Sequence, residues 1–170
     1  MTGTPTQALK LTALDAEDLE VVSAEMQDAT VLVGDITYLP RQKKLALVAN
    51  RFCWESAASP DATGSDAKGP FRRCRCGLQI NRVFSVKYAN VRRDNPEGVL
   101  SLLAILFHPD EDPPGGVIEL TFSGGGALRA EVECIEAALD DLGVSWETPR
   151  KPAHLAADEP DLDSETDSKD

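Results

Sequence analysis

Cys74 and Cys76 stand one residue apart in FRRCRCGLQI, with Arg72, Arg73 and Arg75 around them. On an extended strand such a pair faces one side at a separation of roughly 7 Å. Neighbouring guanidinium groups lower a thiol's pKa, so the stretch has the composition of a reactive thiol site. It also offers part of a metal site, but a structural zinc needs about four ligands, usually from two spaced pairs. The other candidates, Cys53, Cys134, His108 and His154, make no recognisable second pair. Free cysteine is among the commonest core residues, and that reading outweighs the redox and metal ones. The cysteine count and spacing do not resemble a secreted disulfide framework, so reduced thiols are expected.

The stretch FSGGGALRAEVE, from Phe122 to Glu133, carries three successive glycines. A phosphate-binding loop works when its amides open directly onto a helix N-terminus, usually beside a lysine. Here a run alternating apolar and charged residues follows the glycines, and Glu131 and Glu133 would repel a phosphate. A hairpin corner is expected instead. Ser123 lacks the flanking pattern of a nucleophile elbow, because Thr121 stands where a glycine belongs. His108 precedes a proline in an acidic stretch, where a solvated imidazole is the expected state. The pairs Asp110 with Asp112 and Asp140 with Asp141 read as solvated faces. No catalytic residue, cofactor or metal is therefore assigned.

Charge is distributed unevenly. The chain has 17 basic and 29 acidic residues, a formal net charge of −12. Yet between Lys68 and Arg93 lie eight positive residues and no acid, with Phe71, Phe84 and Tyr88 among them. If outward-facing, Arg72, Arg73, Arg75, Arg82 and Lys87 form a positive strip suited to an acidic protein or peptide. Compensation of an acidic helix or tail within the same molecule is the competing reading. The acidic total argues against a dedicated nucleic-acid binder.

The elements that must hold these residues follow from periodicity. LKLTAL at 9–14 alternates like a short strand. Asp15 is a suitable N-cap for a helix over 16–28, Leu14 and Leu19 are placed as a staple, and Leu19, Val22 and Met26 form its apolar stripe. Period two then takes over. TVLVGDITYL and KLALVANRFCWE flank the turn PRQKK, a hairpin signal. Even positions of FRRCRCGLQI and RVFSVKYANV form an apolar row interrupted by Arg82, which predicts a break near Asn81–Arg82. LSLLAILF and the two strands around the glycines continue the pattern. CIEAALDDLG is read as a closing helix, with Ile135, Ala138, Leu139 and Leu142 on one face and Gly143 as its stop. Residues 1–8 are expected to be disordered, 56–70 a flexible loop, and 148–170 an acidic disordered tail. Residues 9–147 then make a single domain. No run reaches the ~18 apolar residues of a membrane span and no leader is visible, so a cytoplasmic location is expected.

The expected class is α+β and mainly antiparallel β. It resembles a pleckstrin-homology-like barrel, or a strongly curved sheet, with an N-terminal helix and a C-terminal capping helix; both helices on one face of a sheet is the alternative. The stretches LKLTALDAEDLEVVSAEMQDA, NRFCWE, VLSLLAI and GGGALRAEVECIEAALDDLG resemble an uncharacterised proteobacterial family, domain of unknown function two-nine-four-eight. That resemblance implies a bacterial cytoplasmic protein and assigns no activity, cofactor or functional residue. The functional expectation is a non-enzymatic binding or adaptor domain meeting an acidic partner through the basic strip. Its rivals are a small thiol-redox or metal-binding enzyme built on Cys74, Cys76 and His108, and a weak RNA binder.

Overall fold

The computed structural model describes residues 8–53 and 71–148 of the chain. The expectations for residues before Ala8, for the 56–70 loop and for the tail beyond Thr148 lie outside them. The elements run β1 (Lys10–Ala13), α1 (Ala16–Met26), β2 (Thr30–Leu39), β3 (Lys44–Phe52), β4 (Phe71–Ile80), β5 (Val83–Ala89), β6 (Val99–Pro109), β7 (Gly116–Phe122), β8 (Ala127–Val132) and β9 (Ala137–Thr148). No helix among the described residues is long and apolar enough to cross a membrane.

The first helix forms as its sequence predicts. Asp15 Oδ1 accepts from the Asp18 amide at 2.8 Å, and Asp18 Oδ2 accepts in return from Leu14 N at 3.2 Å. Leu19, Val22 and Met26 are buried. The staple does not form. Ala13 ends β1 pointing inward, so Leu14 is turned out to solvent and stays exposed.

All strand pairings are antiparallel, in one nine-stranded sheet of order β1-β9-β4-β3-β2-β6-β7-β8-β5. The sheet is open, with β1 and β5 as its edges, rather than closed into a barrel. Its two halves nevertheless share one core: Leu45 and Leu78 from one half, Leu120 and Leu128 from the other, and Leu19 and Met26 of α1 belong to a single buried cluster. β6 joins the halves by changing partner. It pairs with β2 over Val99–Ser101 and with β7 from Leu102 to Pro109, with a bulge between Leu102 and Ala104. Ile105 N, next to that irregularity, donates to Ser23 Oγ of α1 at 2.9 Å. The break expected at Asn81–Arg82 is a corner between halves: Arg82 has φ 57°, and β5 leaves β4 to pair with β8.

The glycines make the expected corner. Gly124 and Gly125 have φ of 85° and 89°, a region glycine enters without steric cost, and Phe122 N donates to Gly126 O at 2.8 Å to close the β7–β8 hairpin.

Two expectations are overturned. The closing helix is absent, and CIEAALDDLG runs into strand β9, between β1 and β4. Its inward row is Ala137, Leu139 and Asp141, and the carboxylate in that row hides the period of two. Two flanking strands then supply the backbone partners and burial that outweigh a short segment's helical preference. The cysteines are not all reduced: Cys53 and Cys74 are bonded, with Cα atoms 6.3 Å apart. The β3–β4 register explains it. Phe52 lies opposite Arg73, and Cys53 N donates to Arg72 O at 2.9 Å, so the two side chains meet across the strand ends. Cys76 and Cys134 remain free.

Candidate binding groove

The five residues of the expected basic strip do not share a surface. Arg73 and Arg75 project from the outer face of β4. Arg72, one residue away, turns to the opposite face, where its Nη2 donates to Ser145 Oγ at 2.6 Å. Arg82, at the corner, is held by Glu133 at 3.3 Å and Glu136 at 3.6 Å. Lys87 lies on β5, at the far edge in strand order, opposite Arg129 in register. Only Arg73 and Arg75 are brought together, and both stand at one end of a groove.

Two irregularities build that groove. Between the pairs Val31 with Ala49 and Ile36 with Leu47, residues Leu32 to Asp35 of β2 face the single residue Val48 of β3. The bulge is pinned from behind by Val33 N donating to Gly98 O and Gly34 N to Pro96 O, both at 2.9 Å. On the other flank, Leu142, Gly143 and Val144 of β9 face the single residue Arg75 of β4. Gly143, at φ 81°, permits that turn. Surplus residues thus raise a wall on each side of β3 and β4. The floor between them is shallow because it is made of Ala46, Val48 and Gly77.

The space divides into two cavities of about 160 and 320 Å³ that share Asp35 and Val48. The smaller is lined by Thr30, Asp35, Asn50 and Arg75, with Leu32 and Val99 on its rim. The larger runs past Gly77 and Gln79 to Asp140 and Leu142. Leu32, Val99, Leu142 and Trp146 are all exposed along this face, Trp146 being the register partner of Arg73. Large apolar side chains collected around a concavity mark an interaction site more often than the same residues scattered singly. Beneath its floor, Asn50 Oδ1 is buried and makes no hydrogen bond among the described residues. Arg75 is exposed and forms no ion pair among the described residues. The groove therefore presents an exposed guanidinium and an apolar floor, with the carboxylates of Asp35 and Asp140 in its lining.

The residues of the thiol reading do not form one reactive site: Cys74 and Cys76 share the inner face of β4, and His108 lies elsewhere. Cys74 is in the disulfide, and Cys76 is buried on the inner face, where burial pushes its thiol up to about 12 although Arg51 works against that rise. His108 lies on the outer face of β6, its Nε2 3.4 Å from Glu119 Oε1. Glu119 also binds Arg129 Nε, and that bond, with help from His108, holds its carboxyl below the ordinary range. Among the described residues no three His, Cys, Asp or Glu side chains gather as a metal cluster.

Sequence reasoning missed a buried charge. Arg51 is 0% exposed; its Nε and Nη2 grip Asp141 at 2.8 and 2.7 Å, and Nη1 reaches Glu25 at 3.5 Å. Asp141 also accepts from Leu9 N at 2.9 Å. The cluster ties α1, β3, β9 and the entry to β1 together beneath the groove. The signal was present: parity along β3 places Arg51 in the inward row after Leu45, Leu47 and Ala49.

These features define a mainly antiparallel β domain with one packed helix and a walled groove on its outer face. Over residues 9–154 the chain matches the model of a family described as Protein of unknown function (DUF2948), and it belongs to that family. No curated protein and no solved structure gives a significant match.

Proposed function

We propose that this protein is a non-enzymatic binding domain that takes an extended, amphipathic acidic peptide along the outer groove. Apolar side chains of the peptide rest on Val48, Leu142 and Trp146. A carboxylate meets Arg75 and Arg73. The observation that carries the reading is a walled, apolar-floored groove with an exposed guanidinium, that of Arg75, which forms no ion pair among the described residues. Engagement of Cys74 in the disulfide, burial of Cys76 and the distance of His108 on β6 favour binding over thiol or metal chemistry. The location of the cations favours a peptide over RNA, since only two of the five share a face.

Selection of a displayed random peptide library on the purified protein tests this. Enriched sequences should combine acidic and aliphatic or aromatic residues. Their binding should fall at least tenfold in Arg73→Glu/Arg75→Glu and in Gly77→Phe, which fills the floor. A Cβ at position 77 meets only Leu142 at 3.8 Å, so the second variant is expected to fold. Enrichment of nothing, or of peptides indifferent to both variants, rejects the proposal.

A further inference from the structure

We propose that the basic end of this groove is occupied by the chain's own C-terminal segment, residues 155–170, in competition with any outside peptide. The inference rests on the groove reading above and names its resident occupant. That segment holds seven acids and one lysine, with Leu155 and Leu162 among them. It is the acidic, apolar-punctuated chemistry that the groove selects.

Charge balance and chain path both point there. Among the described arginines, Arg51, Arg82, Arg92 and Arg129 each already meet a carboxylate. Arg41, Arg72, Arg73, Arg75 and Arg93 meet none among the described residues, and of these Arg73 and Arg75 stand together at the groove, where Arg73 Nη1 donates to Asn50 O at 3.4 Å. β9 ends at Thr148, directly opposite Phe71 at the start of β4. The last described residue therefore stands at the arginine end of the groove. Arg75 stands four residues along β4 from Phe71, roughly 13 Å at the rise of a strand. Asp158, the first acid of the segment, follows Thr148 by ten residues, which span up to about 35 Å. The reach is ample. A tethered segment meets its site at an effective concentration on the order of 1 mM, so a contact with an intrinsic Kd of about 0.1 mM is filled some nine-tenths of the time.

The test compares the isotope-labelled full chain with a variant in which the seven acids of 158–170 become their amides. Amide signals of Arg73, Arg75 and Gly77 and the Trp146 indole should differ between the two proteins. Salt at about 0.5 M should move the wild-type signals toward the variant's, because screening weakens an exposed charge contact. A synthetic peptide of residues 155–170 should restore the wild-type positions in the variant, and should bind the variant about tenfold more tightly than the wild type. Coincident spectra, or changes confined to Lys87 and Arg129, overturn the proposal. Equal binding of the peptide to both proteins overturns it too, while leaving the groove as a peptide site. Conversely, tail-dependent shifts in a protein that enriches no library peptide would retain this contact and remove the function proposed above.

Discussion

Arg51 and Asp141 show how one misplaced charge conceals an element. Each occupies an inward position of a strand, and each is tolerable there because the other, with Glu25 and the Leu9 amide, satisfies it. Removing one partner strands a buried ion, so Asp141→Ala is expected to cost about 3–5 kcal/mol in urea unfolding, with Arg51→Met/Asp141→Leu recovering much of the loss. A single-variant loss below about 1 kcal/mol would show the pair to be incidental. Cys76 lies against the same cluster, its Sγ 3.6 Å from Met26 Sδ. With its thiol pushed up to about 12 by burial, it stays protonated and sealed near neutral pH. Between the two free thiols, an alkylating reagent should modify half-buried Cys134 in the native protein and reach Cys76 only on unfolding. Equal rates would contradict the packing. Glu119 supplies a pH dependence. Arg129 and His108 favour its ionised form in the folded state, so its contribution is present above the ordinary value of 4.5 and lost as pH falls below it. Glu119→Gln should therefore flatten the acid limb of a stability profile; an unaltered limb would assign acid unfolding to other carboxylates.

The strands, their hairpins and the first helix were legible because their signals are local: a cap, a stripe, an alternation, a turn. What escaped is non-local. The groove depends on surplus residues in β2 and β9, and a surplus exists only relative to a partner strand that no single segment specifies. β9 itself reads as a helix until Asp141 is known to point inward. The union of Cys53 with Cys74 was hidden by the long intervening segment. Glycines separate these levels of constraint. A Cβ at Gly116 would lie 2.5 Å from His108 O and 2.6 Å from the Phe107 ring, so Gly116→Ala should destabilise by about 3 kcal/mol, at the upper end of overpacking. At Gly77 the same change meets ordinary contact, and loss of unfolded-state freedom should make Gly77→Ala neutral or stabilising by up to about 1 kcal/mol. Equal effects in a melting experiment would mean that β6 does not crowd Gly116.

At the scale of the whole molecule, the first strand pairs with the last, and both halves of the sheet close on one core. Neither half can bury its apolar row alone, so unfolding should be a single transition, with tryptophan fluorescence and far-ultraviolet ellipticity coincident. The disulfide acts on this unit from the other side of the equilibrium. Cys53 and Cys74 are 21 residues apart in sequence, and a cross-link over such a loop restricts the unfolded chain by about 3 kcal/mol. Cys74 lies in β4 and Cys53 directly follows β3, and the β3–β4 ladder continues from Phe52 opposite Arg73 to Leu45 opposite Ile80, so the native strands remain paired when the bond is cut. Cys53→Ser/Cys74→Ser is therefore expected to keep the ellipticity of the parent, keep the single transition, and lose about 3 kcal/mol of stability. A variant that keeps its urea midpoint would show that the ladder alone restrains the two strand ends. One that unfolds in two steps would instead show that the halves on either side of β6 are separate folding units, and the shared core would not be what holds the groove's floor in place.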